Sequence, residues 1–240
     1  MLTTEIVTQR TLVIGLMALR AQAENGISHL EGQDEAYRQF GAKLMQWAEA
    51  HKVAQSFTES ERPLFRKPLG QWEHGEIFET FWRVEALKAL LWSLGHISEM
   101  PSFFEVGNPN DVYAMLPIPK PPQDFIEKSK LRDEDAIQAQ RHHAQFLNWR
   151  ARTEIFRLQG MQAPMDDTYE AVVARALEGI EAEGIHVEHD GTDLLIHGMR
   201  FIDLDEETKR ETASICHERQ LALEWICSDD EDWDSAPCDT

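Results

Sequence analysis

Candidate chemistry in this chain falls on a few histidines, three cysteines and some charged residues set among apolar ones. His217-Glu218 begins the pattern of a zinc-protease helix, in which a second His follows the first by four residues. That position is Leu221, so the pattern is incomplete. His142 and His143 are adjacent, and neighbours on a helix point about 100° apart, which keeps them off one ion. His186, His189 and His197 fall around a predicted hairpin without a ligand spacing. Cys216, Cys227 and Cys238 are an odd set with no CxxC pair. The first two would lie about 16 Å apart on one predicted helix, too far for a disulfide. Reduced thiols in a reducing compartment are the simplest account. No phosphate-cradling Gly-rich loop and no nucleophile elbow occurs. The expectation is a chain with no metal, no cofactor and no catalytic residue.

Two arginines stand out by their neighbours. Arg219 lies in a seam of Ile215, Cys216, Ala222, Leu223, Ile226 and Cys227, and Arg83 sits amid Trp82, Val84, Leu87 and Leu90. A buried guanidinium left alone costs several kcal/mol, so each needs a carboxylate. Glu79, four residues before Arg83, is one candidate. Glu85, reached across a helix contact, is the candidate for Arg219. Trp82, Arg83, Glu85, Trp149 and Arg219 thus form either a structural core or the lining of a pocket.

The charge is unevenly spread. Net charge is −20, yet residues 1–165 carry 21 acids against 18 bases. Residues 166–207 carry 13 acids and only Arg175 and Arg200, and residues 229–240 carry six acids and no base. The exposed candidates on this acidic surface are Asp166, Asp167, Glu181, Glu183, Glu188, Asp190, Asp193, Asp203 and Asp205. Such a surface keeps a protein soluble, and it can steer a basic partner. It argues against nucleic acid, which needs clustered Lys and Arg. The densest basic group, Lys128, Lys130 and Arg132, is followed at once by Asp133, Glu134 and Asp135.

The elements that hold these residues are mostly helices. Apolar periodicity predicts helices over 5–24, with Asn25-Gly26 as a stop, and 34–51. Thr58 and Glu61 have a capping-box spacing ahead of a short helix. Residues 76–95 are apolar on nearly every face, the mark of a buried central helix, with Gly95 closing it. Six prolines between Pro101 and Pro122 mark a connector over 101–123. Helices follow over 133–159, where Ile137, Ala144, Leu147, Ala151, Ile155 and Leu158 make the stripe, then 167–183 and 205–227. Between the last two, Asp190-Gly191 predicts a hairpin turn, with Met199 to Ile202 as a third short strand. The fold class expected is mainly α, a multi-helix globular domain over 1–228 with a small β-hairpin near 185–202, and an acidic tail over 229–240. No apolar run approaches the roughly 18 residues that span a bilayer. With no leader pattern at the start, a cytoplasmic location is expected.

Several motifs, in order, resemble a known family. Trp82-Arg83-x-Glu85-Ala86-Leu87 with Leu90-Leu91-Trp92-x-Leu94-Gly95 is similar to the signature of the bacterial domain-of-unknown-function family 4272. Thr58-Glu59-x-Glu61, Asn148-Trp149-Arg150, His217-Glu218-Arg219 with Ala222-Leu223-x-Trp225, and Trp233-Asp234 with Asp239-Thr240 agree in sequence order. The resemblance spans most of the chain and is weakest over 185–204. It implies no established activity and supplies no catalytic residues.

Two functions are therefore expected as alternatives. One is a non-catalytic acidic binding protein for a basic protein partner, such as a bacterial immunity protein that neutralises a basic toxin or effector. The other is an enzyme or small-ligand protein with a pocket near Arg83, Glu85, Trp149 and Arg219.

Overall fold

The computed structural model describes residues 1–29, 32–164 and 167–238. Its framework is a stack of long helices. α1 (Thr4–His29) packs on α2 (Asp34–Ala50) and on α4 (His74–Ser93); α4 packs on α9 (Glu206–Cys227), and α9 on α7 (Glu134–Leu158). α8 (Tyr169–Ala182) covers part of α7. The hydrophobic cluster at their centre runs unbroken from Leu2 to Trp233.

α1 continues past Asn25-Gly26, where the sequence predicts a stop. Gly26 serves packing instead. A Cβ there would lie 2.3 Å from Cγ of Tyr37, so only glycine lets α2 approach this closely. The short α3 (Glu61–Arg66) starts with the expected box: the Thr58 amide donates to Glu61, and the Glu61 amide donates to the Thr58 hydroxyl.

α4 ends as predicted. Gly95 has φ of +77°, the Gly95 amide donates to Trp92 O and the His96 amide to Leu91 O, a Schellman closure. Its second half, Val84 to Ser93, is buried on all sides. The first half departs from the prediction of a helix buried all round: Phe78 is 58% exposed, and Phe81 and Trp82 are half-buried. α7 differs in the same way. Ile155 and Leu158 are exposed, and its C-terminal half buries Arg150, Thr153 and Glu154. Ion pairing, described below, outweighs the apolar periodicity there.

The connector is packed. Phe103, Val112, Tyr113 and Leu116 are buried, and it forms α5 (Pro109–Tyr113), with α6 (Gln123–Lys128) following. Near 185–202 a two-stranded antiparallel sheet pairs β1 (Leu195–Ile196) with β2 (Met199–Arg200), Ile196 opposite Met199. Its tight turn is His197-Gly198, with φ of +52° and +77°, as a type I′ turn requires. The turn predicted at Asp190-Gly191 is also present, as a four-residue loop in place of a two-residue one, with the Leu195 amide donating to Glu188 O across it. A bridge between His189 and Leu194 closes this loop. The loop is set by Asp190, whose Oδ1 accepts from the amides of Thr192 and Asp193, an Asx-type turn.

Residues 229–232 are exposed, as expected of an acidic tail, but the segment then returns to the core. Trp233 is buried with its ring edge-on to Trp225 at 5.3 Å, and Asp234 accepts from the amide and hydroxyl of Ser60.

Candidate functional site

The predicted arginine–carboxylate pair forms at the α4–α9 contact. Arg219 Nη2 lies 2.7 Å from Glu85 Oε2, and both side chains are sealed from solvent. The other Glu85 oxygen takes Lys88 Nζ at 2.6 Å, a partner the sequence reading missed although it lies three residues on along α4. Arg219 also donates to Pro101 O and covers the Phe103 ring at 4.8 Å. This trio holds the connector to the central helices.

The remaining pocket candidates lie elsewhere. Arg83 faces Trp233, its guanidinium carbon 5.9 Å from the ring, with Nη1 buried and without a hydrogen-bond partner; Glu79, its expected partner, is exposed. Trp149 stacks with Phe146 and lines a shallow pocket with His142, Ile180 and Glu183. Trp82 and Glu85 line a groove at the start of α4. Glu85 and Arg219 are therefore together, while Arg83 and Trp149 stand apart from them.

Glu218, beside Arg219 on α9, is buried, and Oε2 has no hydrogen-bond partner. Burial pushes its carboxyl up to about 7, against the pull of Arg83 and with a push from Glu85. Cys216 is likewise driven up to about 12 by burial, which keeps its thiol protonated. Among the described residues, no three His, Cys, Asp or Glu side chains are grouped so as to hold a metal ion.

The acidic candidates separate into two kinds. Asp193 is the correction: it is 4% exposed and takes Arg150 of α7 in two bonds of 2.6 and 2.8 Å. It also accepts from the Leu194 and Ile202 amides, so it locks the hairpin to α7 and offers nothing to solvent. The signal was Arg150, a cation inside the α7 stripe that needed a partner. Glu154 supports the same corner. Burial pulls its carboxyl up, but bonds from Arg157 and Lys209 outweigh this and hold it below the ordinary value. A cleft of about 290 Å³ opens here, and its guanidinium groups are already engaged: Arg150 with Asp193, Arg157 with Glu154, Arg200 with Asp203.

The other acids stay at the surface, apart from Asp166, which lies outside the described residues. Asp167 pairs with Arg175 at 2.6 Å and Asp203 with Arg200 at 2.8 Å. Glu181 meets His189 at 2.8 Å. Asp205 caps α9 through the Thr208 amide. Asp190 is held down to about 2 by the Thr192 hydroxyl and by backbone amides. Glu183 and Glu188 are exposed. Both arginines of residues 166–207 are thus consumed locally; Glu206 takes Arg210 from farther along α9, and the stretch holds no other arginine or lysine to offset its remaining exposed carboxylates.

The model of a domain of unknown function, DUF4272, matches residues 1–236. The chain belongs to the DUF4272 family. The DUF4272 match takes in the Glu85–Arg219 contact, the Asp193 lock and Trp233. It also runs across 185–204, where the motif resemblance is weakest. No curated protein and no solved structure matches this DUF4272 chain. Among its described residues, no helix is long and apolar enough to cross a membrane.

Proposed function

We propose that this DUF4272 protein is a non-catalytic binding protein that captures a basic protein partner on the acidic face of α8, the 183–190 loop and the start of α9. One observation carries the reading: Arg175 and Arg200, the only arginines or lysines of residues 166–207, are each spent on one carboxylate. Among the described residues, Glu170, Glu178, Glu183, Glu188 and Glu207 are exposed without a salt bridge, while Glu181 meets His189 and Glu206 meets Arg210 at the same surface. Such a field speeds the approach of a cationic protein and repels nucleic acid. An immunity protein that neutralises a basic bacterial toxin or effector in the cytoplasm fits this charge. Cys216 and Cys227, neither of them in a disulfide, suit a reducing compartment. The enzyme or small-ligand alternative needs Arg83, Glu85, Trp149 and Arg219 on one cavity, and nothing in their placement favours it.

The test is capture from a lysate of the source organism, repeated with the triple variant Glu181→Lys, Glu183→Lys, Glu188→Lys. The expected partner has a high isoelectric point. Its association should slow steeply as salt rises, and the variant should bind at least about tenfold more weakly. A partner held equally well by the variant and indifferent to salt overturns the reading.

A further inference from the structure

The start of α4 leaves apolar surface uncovered. Phe78 is 58% exposed, and Val106, in the loop before α5, is 49% exposed. With Ile77, Phe81, Trp82 and Val84 they line a groove of about 370 Å³. Phe78 meets the Trp82 ring edge to face at 6.2 Å. Isolated apolar residues on a surface are ordinary, but a contiguous aromatic patch marks a contact site, and interface centres concentrate such rings inside a polar rim.

The rim is acidic. Glu211 lines the groove and Glu105 precedes the lining residue Val106, and both are exposed. It also joins the acidic face. Glu105 lies 3.9 Å from His197 of the hairpin turn, and Glu211 comes one helical turn after Glu207 on α9. The floor carboxylate Glu85 is unavailable, since Lys88 and Arg219 occupy its two oxygens.

The geometry points to this groove as the apolar half of the binding face: it seats the apolar stripe of an amphipathic basic segment, whose lysines and arginines meet Glu105 and Glu211. This rests on the basic-partner reading above and adds where the partner's apolar anchor goes. A second copy of the chain is the wrong occupant, because a two-fold contact would set the same acidic rim against itself.

The experiment titrates three helical peptides of roughly four turns against the full chain, by fluorescence anisotropy at low and high salt. One carries a Leu/Trp stripe bordered by Lys, one the same stripe bordered by Glu, and one the Lys with Ser in place of the stripe. Each is tested on the unchanged protein, on Phe78→Ser/Val106→Ser, and on the α8 triple reversal. Both groove positions are exposed, so the double variant should keep its melting curve. The Leu/Trp/Lys peptide should be the one that survives high salt, and the groove variant should weaken it at least about tenfold. If the α8 reversal weakens it and the groove variant does not, the groove inference fails while the acidic-face reading stands. If only the groove variant weakens it, the groove stands and the α8 face is not the partner's seat. Equal binding of the Glu-bordered peptide, or a dimer in sedimentation that the groove variant abolishes, overturns the inference.

Discussion

Glu218 has one oxygen in the interior without a bond, and its carboxyl is raised from 4.5 to about 7, first by burial. The charged form is therefore the costly one in the folded state. Below pH about 4.5 the group is neutral in both folded and unfolded chains and contributes no penalty. As pH rises to 7, the unfolded chain releases the proton first and folding loses about 3 kcal/mol. Glu218→Gln should consequently melt at a higher temperature than the unchanged protein at pH 8 and at the same temperature at pH 4, as calorimetry at the two pH values would show. Identical melting at both would mean that the carboxyl is solvated or bonded. The Glu85–Arg219 pair could be read from sequence because a charged residue inside an apolar stripe has to find its counter-charge. Asp193 could not, because in an acidic run one carboxylate looks like the next, and only the placement of Arg150 singles it out.

At the scale of elements, helix positions follow from apolar periodicity, while their ends and exposed faces depend on neighbours. Gly26 shows why. Read in one dimension, Asn25-Gly26 stops a helix; in space, it is the flat spot on which Tyr37 lies. Alanine would add up to about 1 kcal/mol of helix propensity there. However, three Tyr37 ring atoms lie within 2.5 Å of the added Cβ, and overpacking of this kind costs about 1–3 kcal/mol. Gly26→Ala should thus destabilise on balance. The penalty should vanish in a Tyr37→Ala background, a double-mutant cycle that chemical denaturation can measure. The hairpin teaches the same lesson. Asp-Gly is the stronger local turn signal, and the chain does reverse there, but through a four-residue loop ending at the Arg150–Asp193 bond, while the two-residue turn falls at His197-Gly198. The exposed half of α4 was unreadable for a related reason: an apolar sequence does not say whether its cover comes from the same chain.

Across the whole molecule, an apparently polar tail proves to contain a core residue. Trp233 lies against Trp225, and the guanidinium carbon of Arg10 sits 4.6 Å from its ring. Arg10 is in turn bound to Glu61. One aromatic side chain therefore joins α1, α3 and α9. Trp233→Ala should cost about 3–5 kcal/mol by removing a large buried ring, and urea unfolding should show it as a lower midpoint. Asp229→Ala, at an exposed site, should leave the midpoint nearly unchanged.

The same seam has a consequence for how the chain is made. The amide of Leu2 donates to the carbonyl of Ile226, and α1 is shielded by α4 and by the segment that carries Trp233. During synthesis the first helix leaves the ribosome long before the residues that complete its surroundings. Its apolar faces meet α2 and α4 early, while Leu2 and Arg10 wait for α9 and the segment that carries Trp233. A nascent chain stalled before α9 would present the α9-facing sides of α4 and α7 to chaperones and proteases, so quality control of this protein should hinge on whether α9 has been delivered.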